Sequence, residues 1–223
     1  MTIASMIDHT LLKADATNEQ IEKLCHEAAQ YEFATVCVNP HYVSRSAELL
    51  ANTKVKVCTV IGFPLGANKT AVKLLEMELA VQDGAEEIDY VINISDVKNG
   101  DFQSVKNEMK QFLKIKEKYP DLTIKIILEV CYLTNDEISK VSWIARECGI
   151  DYVKTSTGFG SGGATEESVQ IMNEVSGDQV KVKASGGIRT AEDTQKYLSM
   201  GVSRIGTSNG VSIVNGTLST NDY

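Results

Sequence analysis

The chain has 223 residues, of which 43% are hydrophobic, and a net charge of −8, which suits one acidic globular domain. The negative balance argues against a nucleic-acid surface, because such surfaces use clustered Lys and Arg to displace counterions. No apolar run approaches the roughly 18 residues of a membrane span, and five scattered cysteines lack a C-x-x-C pair, so we expect no membrane partner and a reducing, cytoplasmic location.

Short runs rich in β-branched residues alternate with longer amphipathic segments along the chain. Near-continuous Val and Ile are typical of parallel strands that are covered on both faces. The predicted strands occupy residues 34–38, 55–61, 87–92, 123–130, 152–155, 180–184 and 203–206, with a weaker candidate at 3–8.

The segments between these runs carry the start and stop signals of helices. Thr17 with Gln20, and Thr134 with Glu137, match the capping box, in which a hydroxyl and a side chain three residues later satisfy free amides of the first turn. Three helical segments end in a glycine directly before a strand, namely Gly84, Gly149 and Gly201.

About eight strand–helix units of roughly 28 residues each account for the whole chain, near the lower end of the barrel size range. The same alternation suits an open doubly wound sheet, but the chain has no strand-linked G-x-G-x-x-G with an acidic residue downstream. We therefore predict an α/β fold, a single-domain (β/α)8 TIM barrel over residues 1–214, followed by a polar C-terminal tail at 215–223.

Charged residues stand inside four of the predicted apolar strands: Asp89, Glu129, Lys154 and Lys183. An unpaired buried charge costs several kcal/mol, so such residues are rare in cores unless they are paired or used chemically. Strand alternation points Asp89, Lys154 and Lys183 into the barrel near its C-terminal mouth, where barrel enzymes keep their chemistry. A structural ion-pair network is the alternative interpretation.

Two lysines on consecutive strands favour catalysis. Burial and a second nearby cation both disfavour a protonated amine, so Lys154 and Lys183 are predicted to lower each other's pKa. The result would be an amine able to attack a carbonyl, although the spacing does not decide which lysine is the nucleophile.

Three loops rich in glycine and hydroxyl groups follow the last three predicted strands, at residues 155–163, 185–190 and 206–210. Barrels often bind phosphate with the loops after strands seven and eight, using backbone amides and a helix N-terminus. The loops therefore predict a phosphorylated substrate.

The chain resembles the 2-deoxyribose-5-phosphate aldolases, class I Schiff-base enzymes, nearly from end to end. The motifs that carry the resemblance are Ile7-Asp8-His9-Thr10-Leu11-Leu12, Val36-Cys37-Val38-Asn39-Pro40, Val60-Ile61-Gly62-Phe63-Pro64-Leu65-Gly66, Glu87-Ile88-Asp89, Tyr152-Val153-Lys154-Thr155-Ser156-Thr157-Gly158, and Val182-Lys183-Ala184-Ser185-Gly186-Gly187-Ile188-Arg189-Thr190.

The resemblance implies reversible cleavage of 2-deoxy-D-ribose 5-phosphate into D-glyceraldehyde 3-phosphate and acetaldehyde, a step in deoxyribonucleotide catabolism. It assigns the Schiff base to Lys154, electrostatic tuning and proton relay to Lys183, and acid/base work through an ordered water to Asp89. The protonated imine is the electron sink, so we expect no cofactor and no metal. A homodimer is the assembly we consider, although the sequence does not determine the oligomeric state.

The resemblance also marks residues that line the site. The substrate-binding candidates are Asp8, Thr10, Cys37, Thr157, Gly187, Gly206 and Ser208. The terminal Tyr223 matches a tyrosine that can fold over the site to assist proton transfer. Two positions depart from the family pattern: Phe159 replaces a lysine that helps to hold phosphate in some members, and Asn209 replaces a frequent serine.

Three other functions fit parts of this pattern. A transaldolase or another Schiff-base aldolase would use the same lysine, and a non-catalytic phosphosugar-binding barrel would use the same loops. A metal-dependent aldolase would need a His/Asp/Glu cluster, which the sequence does not suggest.

Overall fold

The computed structural model describes residues 2–217, and its eight parallel strands close into a barrel. Each strand pairs with the next along the chain, and β8 returns to pair with β1. The strands are β1 (Ile7–Leu11), β2 (Thr35–Val38), β3 (Lys56–Ile61), β4 (Glu87–Val91), β5 (Thr123–Ile127), β6 (Tyr152–Lys154), β7 (Lys181–Ser185) and β8 (Arg204–Thr207). The predicted (β/α)8 barrel is confirmed.

Helices connect the strands. They are α1 (Asn18–Tyr31), α2 (Val43–Leu50), α3 (Thr70–Gln82), α4 (Ile94–Lys98), α5 (Phe102–Lys116), α6 (Asn135–Cys148), α7 (Glu166–Ser176), α8 (Ala191–Ser199) and α9 (Gly210–Asn215). Both predicted capping boxes form, at Thr17 before α1 and at Thr134 before α6. Gly149 ends α6 with φ 82°, the left-handed conformation that its position predicts. Within residues 2–217 no helix has the length and apolarity to cross a bilayer.

Side-chain alternation divides each strand between two environments. Val36, Ile88, Ile124 and Val153 belong to a large apolar cluster that also contains the buried faces of the helices. Each fully buried aliphatic side chain of this kind contributes about 1.5–3 kcal/mol. The alternate positions face the barrel interior and are mostly polar or charged, so the apolar layer outside the strands holds the fold while the interior is free to carry chemistry.

Two strands, β1 and β5, differ from the prediction by more than one residue at a boundary. Ala4–Met6 form a 3-10 turn, so β1 begins at Ile7 and not at residue 3. β5 ends at Ile127 because Glu129 has φ 54°, a left-handed conformation that a non-glycine residue adopts only at a cost of about 1–2 kcal/mol. Glu129 is therefore a buried loop residue, and its prediction as a charge inside a strand was wrong.

The division between barrel and tail at residue 214 stays a prediction. The last described helix ends at Asn215, and residues 218–223 lie outside the described residues.

Candidate active site

One carboxylate in the middle of the barrel contacts three lysines. The Asp89 side chain is fully buried, and its Oδ2 accepts hydrogen bonds from Lys154 Nζ at 2.8 Å and from Lys183 Nζ at 2.7 Å. Its Oδ1 accepts from Lys125 Nζ at 2.9 Å. The three residues that the sequence singled out as charges in strands β4, β6 and β7 thus meet at one point.

A second layer of charge lies below this point, toward the N-terminal end of the barrel. Asp8 of β1 forms ion pairs with Lys183 and with Arg204 of β8. Glu87 of β4 pairs with Lys125 at 2.6 Å and with Arg204 at 3.2 Å. Among residues 2–217 the interior therefore holds three carboxylates, on Asp8, Glu87 and Asp89, and four basic side chains, those of Lys125, Lys154, Lys183 and Arg204.

The acidic and basic side chains of this cluster strongly shift one another's pKa values. Burial alone would raise the pKa of Asp89, but Lys125, Lys154 and Lys183 outweigh it and hold that pKa well below the ordinary range. Burial would lower the pKa of Lys183, but the carboxylates of Asp8 and Asp89 outweigh it and raise that pKa. The prediction that the two lysines lower each other's pKa is therefore wrong for Lys183. The attraction of the Asp8 and Asp89 carboxylates outweighs both burial and the repulsion from Lys125.

Lys154 is held differently from the other two lysines. Within residues 2–217 its ammonium has one carboxylate contact, to an Asp89 oxygen that it shares with Lys183. Lys125 and Lys183 are each paired with two or more carboxylates and are fully buried. Lys154 is the last residue of β6, so it lies at the C-terminal end of its strand, toward the mouth.

The wall beside β2 and β3 is apolar and carries two thiols. Cys37 and Cys58 are register partners on these strands, and Cys58 Sγ donates to Asp89 Oδ1 at 3.2 Å. The Cys58 thiol hydrogen bond lowers the pKa of Cys37, in opposition to burial, and Lys183 lowers it further. Leu12, Val60 and Phe63 complete this wall.

The loops after β6 and β7 pack closely where glycines allow it. A Cβ at Gly163 would lie 2.1 Å from the carbonyl oxygen of Gly186, so this approach requires glycine. Gly187 has φ 80°, and a Cβ there would meet no atom within 4 Å. A Cβ at Gly206 of β8 would lie 3.1 Å from Lys183 Cε, so glycine makes room for that lysine.

Two hydroxyls in the loops after β6 and β8 are buried without a hydrogen-bond partner among the described residues: Ser156 Oγ and Ser208 Oγ. Buried polar atoms are nearly always satisfied, and these two hydroxyls, unlike the other unpaired side-chain atoms of residues 2–217, lie in the glycine-rich loops, where a ligand could complete them. Ser156 lies against Gly186, whose Cβ would come within 3.2 Å of Ser156 Cβ. Both hydroxyls thus belong to the group of loops that the sequence predicted as the phosphate site.

Thr157 forms hydrogen bonds with the buried carboxylate of Glu129. Its amide donates to Glu129 Oε1 at 3.2 Å, and its hydroxyl donates to Glu129 Oε2. Burial raises the pKa of Glu129, against the lowering effect of these hydrogen bonds. The Thr157 oxygen also accepts from the amide of Phe159 at 3.0 Å. The Glu129 carboxylate therefore orders the first turn of the loop that follows Lys154.

Two aromatic rings meet at the mouth of the barrel. Phe63 follows β3 and Phe159 follows β6, and their centroids are 5.2 Å apart with the ring planes at 84°. Since β4 and β5 lie between these strands, the contact joins loops on different sides of the mouth.

Two groups of described side chains have the spacing of metal ligands, Cys37 with Cys58 and Asp89, and Asp8 with Cys58 and Glu87. The Lys125 ammonium contacts Asp89, Glu87 and Cys58 Sγ, the last at 3.4 Å. A lysine thus already supplies the positive charge that a metal ion would bring to these ligands.

The remaining predicted residues are distributed as follows. Thr10 is buried, and its hydroxyl donates to the backbone oxygen of Asp8 at 2.8 Å. Tyr223 lies outside the described residues. The sequence reasoning missed Lys125, Glu87 and Arg204 as members of the cluster, although Lys125 and Arg204 show the same signal, a charge inside an apolar strand.

Comparison with known proteins identifies the family of this chain. The model of the DeoC/LacD family aldolases matches residues 2–219. A deoxyribose-phosphate aldolase of Thermoanaerobacter sp. (strain X514) is 53% identical over 214 residues, 96% of either chain, and one of Staphylococcus carnosus (strain TM300) is 50% identical over 223 residues, all of both chains. The solved structure of a tetrameric deoxyribose phosphate aldolase from Aeropyrum pernix superposes with a TM-score of 0.89 at 34% identity, covering 96% of this chain and 89% of that one. The chain belongs to the DeoC/LacD family of aldolases.

Proposed function

We propose that this aldolase reversibly cleaves 2-deoxy-D-ribose 5-phosphate to D-glyceraldehyde 3-phosphate and acetaldehyde through a Schiff base on Lys154. The observation that carries the proposal is the single Asp89 oxygen that accepts hydrogen bonds from both Lys154 and Lys183 inside the closed barrel. The relatives from Thermoanaerobacter and Staphylococcus, which match over nearly their whole length, are named deoxyribose-phosphate aldolases.

The number of ion pairs supports Lys154 as the nucleophile. Loss of a proton from Lys154 gives up one carboxylate contact, and Asp89 keeps Lys125 and Lys183. Loss of a proton from Lys183 would break its pairs with both Asp8 and Asp89. Neutral Lys154 also leaves three cations against three carboxylates, which balances the buried charge.

The chemistry follows from an amine, a carboxylate and fixed cations. Lys154 adds to the C1 aldehyde of the open-chain sugar, and loss of water gives a protonated imine. A base removes the proton of the C3 hydroxyl, the C2–C3 bond breaks, and its electron pair moves into the imine to give an enamine and glyceraldehyde 3-phosphate. Protonation of the enamine carbon and hydrolysis then release acetaldehyde. We assign these proton transfers to Asp89 acting through water.

Lys183 serves this reaction as a permanent cation. Its raised pKa keeps it protonated at neutral pH, so it fixes the Asp89 carboxylate and does not become the nucleophile. This differs from mutual tuning of two lysines, which the sequence alone suggested.

The phosphate would bind the loops after β6, β7 and β8. The unsatisfied hydroxyls of Ser156 and Ser208 and the open side of Gly187 support this placement. We keep Thr157 and Gly206 as further contacts, with Thr157 exchanging its bond to Glu129 for one to substrate.

The remaining assignments rest on the family resemblance and on position. We propose that Asp8 and Thr10 complete the polar lining, that Cys37 borders the aldehyde, and that Tyr223 assists proton transfer. We also propose a cytoplasmic enzyme that acts without nucleic-acid or membrane partners as a homo-oligomer; a dimer is the simplest, and the Aeropyrum pernix relative is tetrameric.

Borohydride trapping tests the function. Purified protein is incubated with acetaldehyde, reduced, digested and mapped by mass spectrometry, with deoxyribose 5-phosphate turnover measured in parallel with and without EDTA. We expect a reduced two-carbon adduct on Lys154 and activity that EDTA does not change. Lys73, an equally buried lysine outside the barrel interior, is the internal control and should stay unmodified.

Other outcomes would favour the competing functions. An adduct formed only with longer ketoses would indicate a transaldolase, and loss of activity in EDTA would indicate a metal-dependent aldolase. Binding of deoxyribose 5-phosphate with neither adduct nor turnover would indicate a sugar-phosphate sensor. Each of these results would contradict the proposed reaction.

A further inference from the structure

Five carboxylates are buried among residues 2–217, and one of them has no cation to pair with. Four form an ion pair with a lysine or an arginine: Asp8, Glu87, Asp89 and Glu108. Glu129 is equally buried and forms no ion pair within the same residues. A buried carboxylate without a cation must keep its charge through hydrogen bonds or lose it by taking up a proton.

Thr157 supplies the hydrogen bonds that keep Glu129 charged. Its amide donates to Oε1 at 3.2 Å, and its hydroxyl donates to Oε2. The next donor is weak, because the Cys131 thiol lies 4.0 Å from Oε1. Thr157 belongs to the loop at residues 155–163, which follows β6 and which we call the β6 loop. The charge state of Glu129 therefore depends on the conformation of the β6 loop.

The backbone of Glu129 is fixed from both sides. The amide of Leu128 donates to the Lys154 carbonyl at 3.0 Å, and the amide of Val130 donates to the Thr155 carbonyl at 3.0 Å. Both acceptors lie where β6 ends. Because these two bonds flank Glu129, its position is kept when a side chain of the β6 loop turns to another acceptor.

The β6 loop also closes over the carboxylate. A Cβ at Gly160 would lie 3.1 Å from Glu129 Cδ and 3.3 Å from its Oε1, a close approach that glycine permits. The same Cβ would lie 2.9 Å from Cys131 Sγ. Such packing leaves little room for another donor to replace a hydrogen bond that Thr157 gives up. Protonation is then the way to relieve the unpaired buried charge.

Three influences set the pKa of Glu129 in the free protein. Burial raises it, and the hydrogen bonds from Thr157 and the charge of Lys154 lower it. The titratable groups beside the carboxylate are Lys154, from β6, and Cys131, from the turn that Glu129 itself begins. A sugar phosphate brings a further charge of about −1.5 to −2 at pH 7 to the β6 loop. That charge and the loss of the Thr157 hydroxyl both favour the neutral acid.

Binding of phosphate therefore removes two of the conditions that keep Glu129 ionised. We propose that Glu129 is a positioning residue of the β6 loop: as a carboxylate it holds Thr157 in the free protein, and it takes up one proton from solvent when Thr157 turns its hydroxyl to the phosphate of the sugar. The Thr157 amide keeps Oε1 as its acceptor. This inference rests on the proposed function, because it takes Thr157 as a contact of the substrate.

The coupling determines how the affinity for a sugar phosphate depends on pH. Below the pKa of Glu129 in the free protein the acid is already neutral, and binding needs no proton. Above that pKa each binding event draws in a proton, so affinity falls as the pH rises, by at most about tenfold per pH unit. The phosphate of the ligand titrates near pH 6 as well. The effect of Glu129 is therefore the difference between the natural chain and Glu129→Gln.

Calorimetry of ligand binding counts the protons. The ligand is 2-deoxyribitol 5-phosphate, whose C1 alcohol cannot form a Schiff base, titrated at about pH 6.5 in buffers of different ionisation enthalpy. We expect the natural chain to take up about 0.5–1 proton more than Glu129→Gln does. Glu86→Gln is the matched control, because Glu86 is exposed and precedes β4 at the opposite end of the barrel, and it should keep the natural proton uptake.

Substitutions of Thr157 test the same coupling with Glu129 left in place. Thr157→Val removes the hydroxyl and should lose the extra proton uptake, whereas Thr157→Ser keeps the hydroxyl and should retain it. Circular dichroism checks that all variants fold alike. Extra uptake that persists in Thr157→Val would overturn the exchange of the hydroxyl between Glu129 and phosphate.

Steady-state kinetics gives a second measure. From pH 6 to pH 8 the KM for deoxyribose 5-phosphate should rise about three- to tenfold more in the natural chain than in Glu129→Gln. For deoxyribose without phosphate the two proteins should show the same pH dependence. Equal proton uptake in both proteins, with turnover intact, would overturn the coupling and leave the proposed reaction standing. Absence of both ligand binding and turnover in the natural chain would overturn both.

Discussion

Two clusters of buried charge in this protein, one outside the barrel and one inside it, differ in how many acceptors each lysine has. Lys73 of α3 is fully buried outside the barrel, and its ammonium donates to Glu108 Oε1 at 3.0 Å, to Glu108 Oε2 at 3.2 Å and to the Val91 carbonyl at 2.8 Å. Each proton of this ammonium has its own acceptor. Inside the barrel, by contrast, Asp89 serves three lysines at once.

The difference separates a structural lysine from a reactive one. Lys73 and Glu108 form a saturated pair that leaves no group free to react. Burial lowers the pKa of Lys73 against the attraction of Glu108, whereas the pKa of Lys183 is raised. The direction of a lysine pKa shift therefore does not identify the reactive cluster here. The sharing of one carboxylate among several amines does.

The largest effect on kcat is expected from a change in the cluster of lysines that share Asp89. Lys154→Met removes the proposed nucleophile and should reduce kcat for deoxyribose 5-phosphate cleavage by at least about 10⁴-fold, as loss of a covalent nucleophile does elsewhere. The measurement is a coupled assay for glyceraldehyde 3-phosphate, with circular dichroism as a check on folding. Residual activity within tenfold of the natural chain would assign the Schiff base to another amine.

Asp89→Asn removes the carboxylate that the lysines share. Loss of an acid/base group should lower kcat about 10²–10⁴-fold. The same variant should change stability against pH. The folded pKa of Asp89 lies well below its ordinary 3.8, so its stabilisation is present above about pH 4 and is lost as the pH falls below that value.

Urea unfolding at pH 7 and at pH 3 measures this contribution. The natural chain should lose more free energy of unfolding between the two pH values than Asp89→Asn does. Equal losses of free energy of unfolding in both proteins would show that Asp89 does not contribute to the loss of stability at low pH.

Lys73→Met tests the saturated pair. It leaves the Glu108 carboxylate buried without its cation, so the free energy of unfolding should fall by about 3–5 kcal/mol. The kcat of the folded protein should stay within about threefold, because the pair does not touch the interior cluster. Glu108→Gln added to Lys73→Met should recover part of the stability. A loss of kcat like that of Asp89→Asn would remove the distinction between the two clusters.

The smallest effect is expected at the mouth. Phe159→Lys places a cation in the loop after β6 and should lower KM for the phosphorylated sugar about three- to tenfold while kcat changes little. Non-phosphorylated deoxyribose should show no such gain. Trp143→Lys, which changes an equally exposed aromatic residue on α6, should alter neither KM. An equal gain for both sugars would place the phosphate elsewhere.

Local pattern was enough to predict the barrel and the centre of the site. Val- and Ile-rich strands made Asp89, Lys154 and Lys183 stand out, and parallel alternation pointed them inward together. Lys125 and Arg204 show the same pattern and could have been found from it. The glycine-rich loops also fall where they were predicted, after β6, β7 and β8.

The charge state of the cluster could not be predicted in this way. Whether Lys183 gains or loses affinity for its proton depends on how many carboxylates barrel closure brings beside it. Asp8, from the first strand, reaches Lys183 only because β1 pairs with β8. The positive φ of Glu129 is likewise not predicted by any residue pattern in the sequence around it.

The pairing of β1 with β8 also dictates when this protein can become active. Asp8 and Arg204 are 196 residues apart along the chain, yet their side chains form an ion pair. A ribosome that has released the first seven strands has produced Asp89, Lys154 and Lys183 but left Asp8 without its guanidinium partner. Competence to handle a reactive aldehyde should therefore arise only after synthesis of the final strand, so incomplete chains would carry the lysines without the assembled charge that directs them.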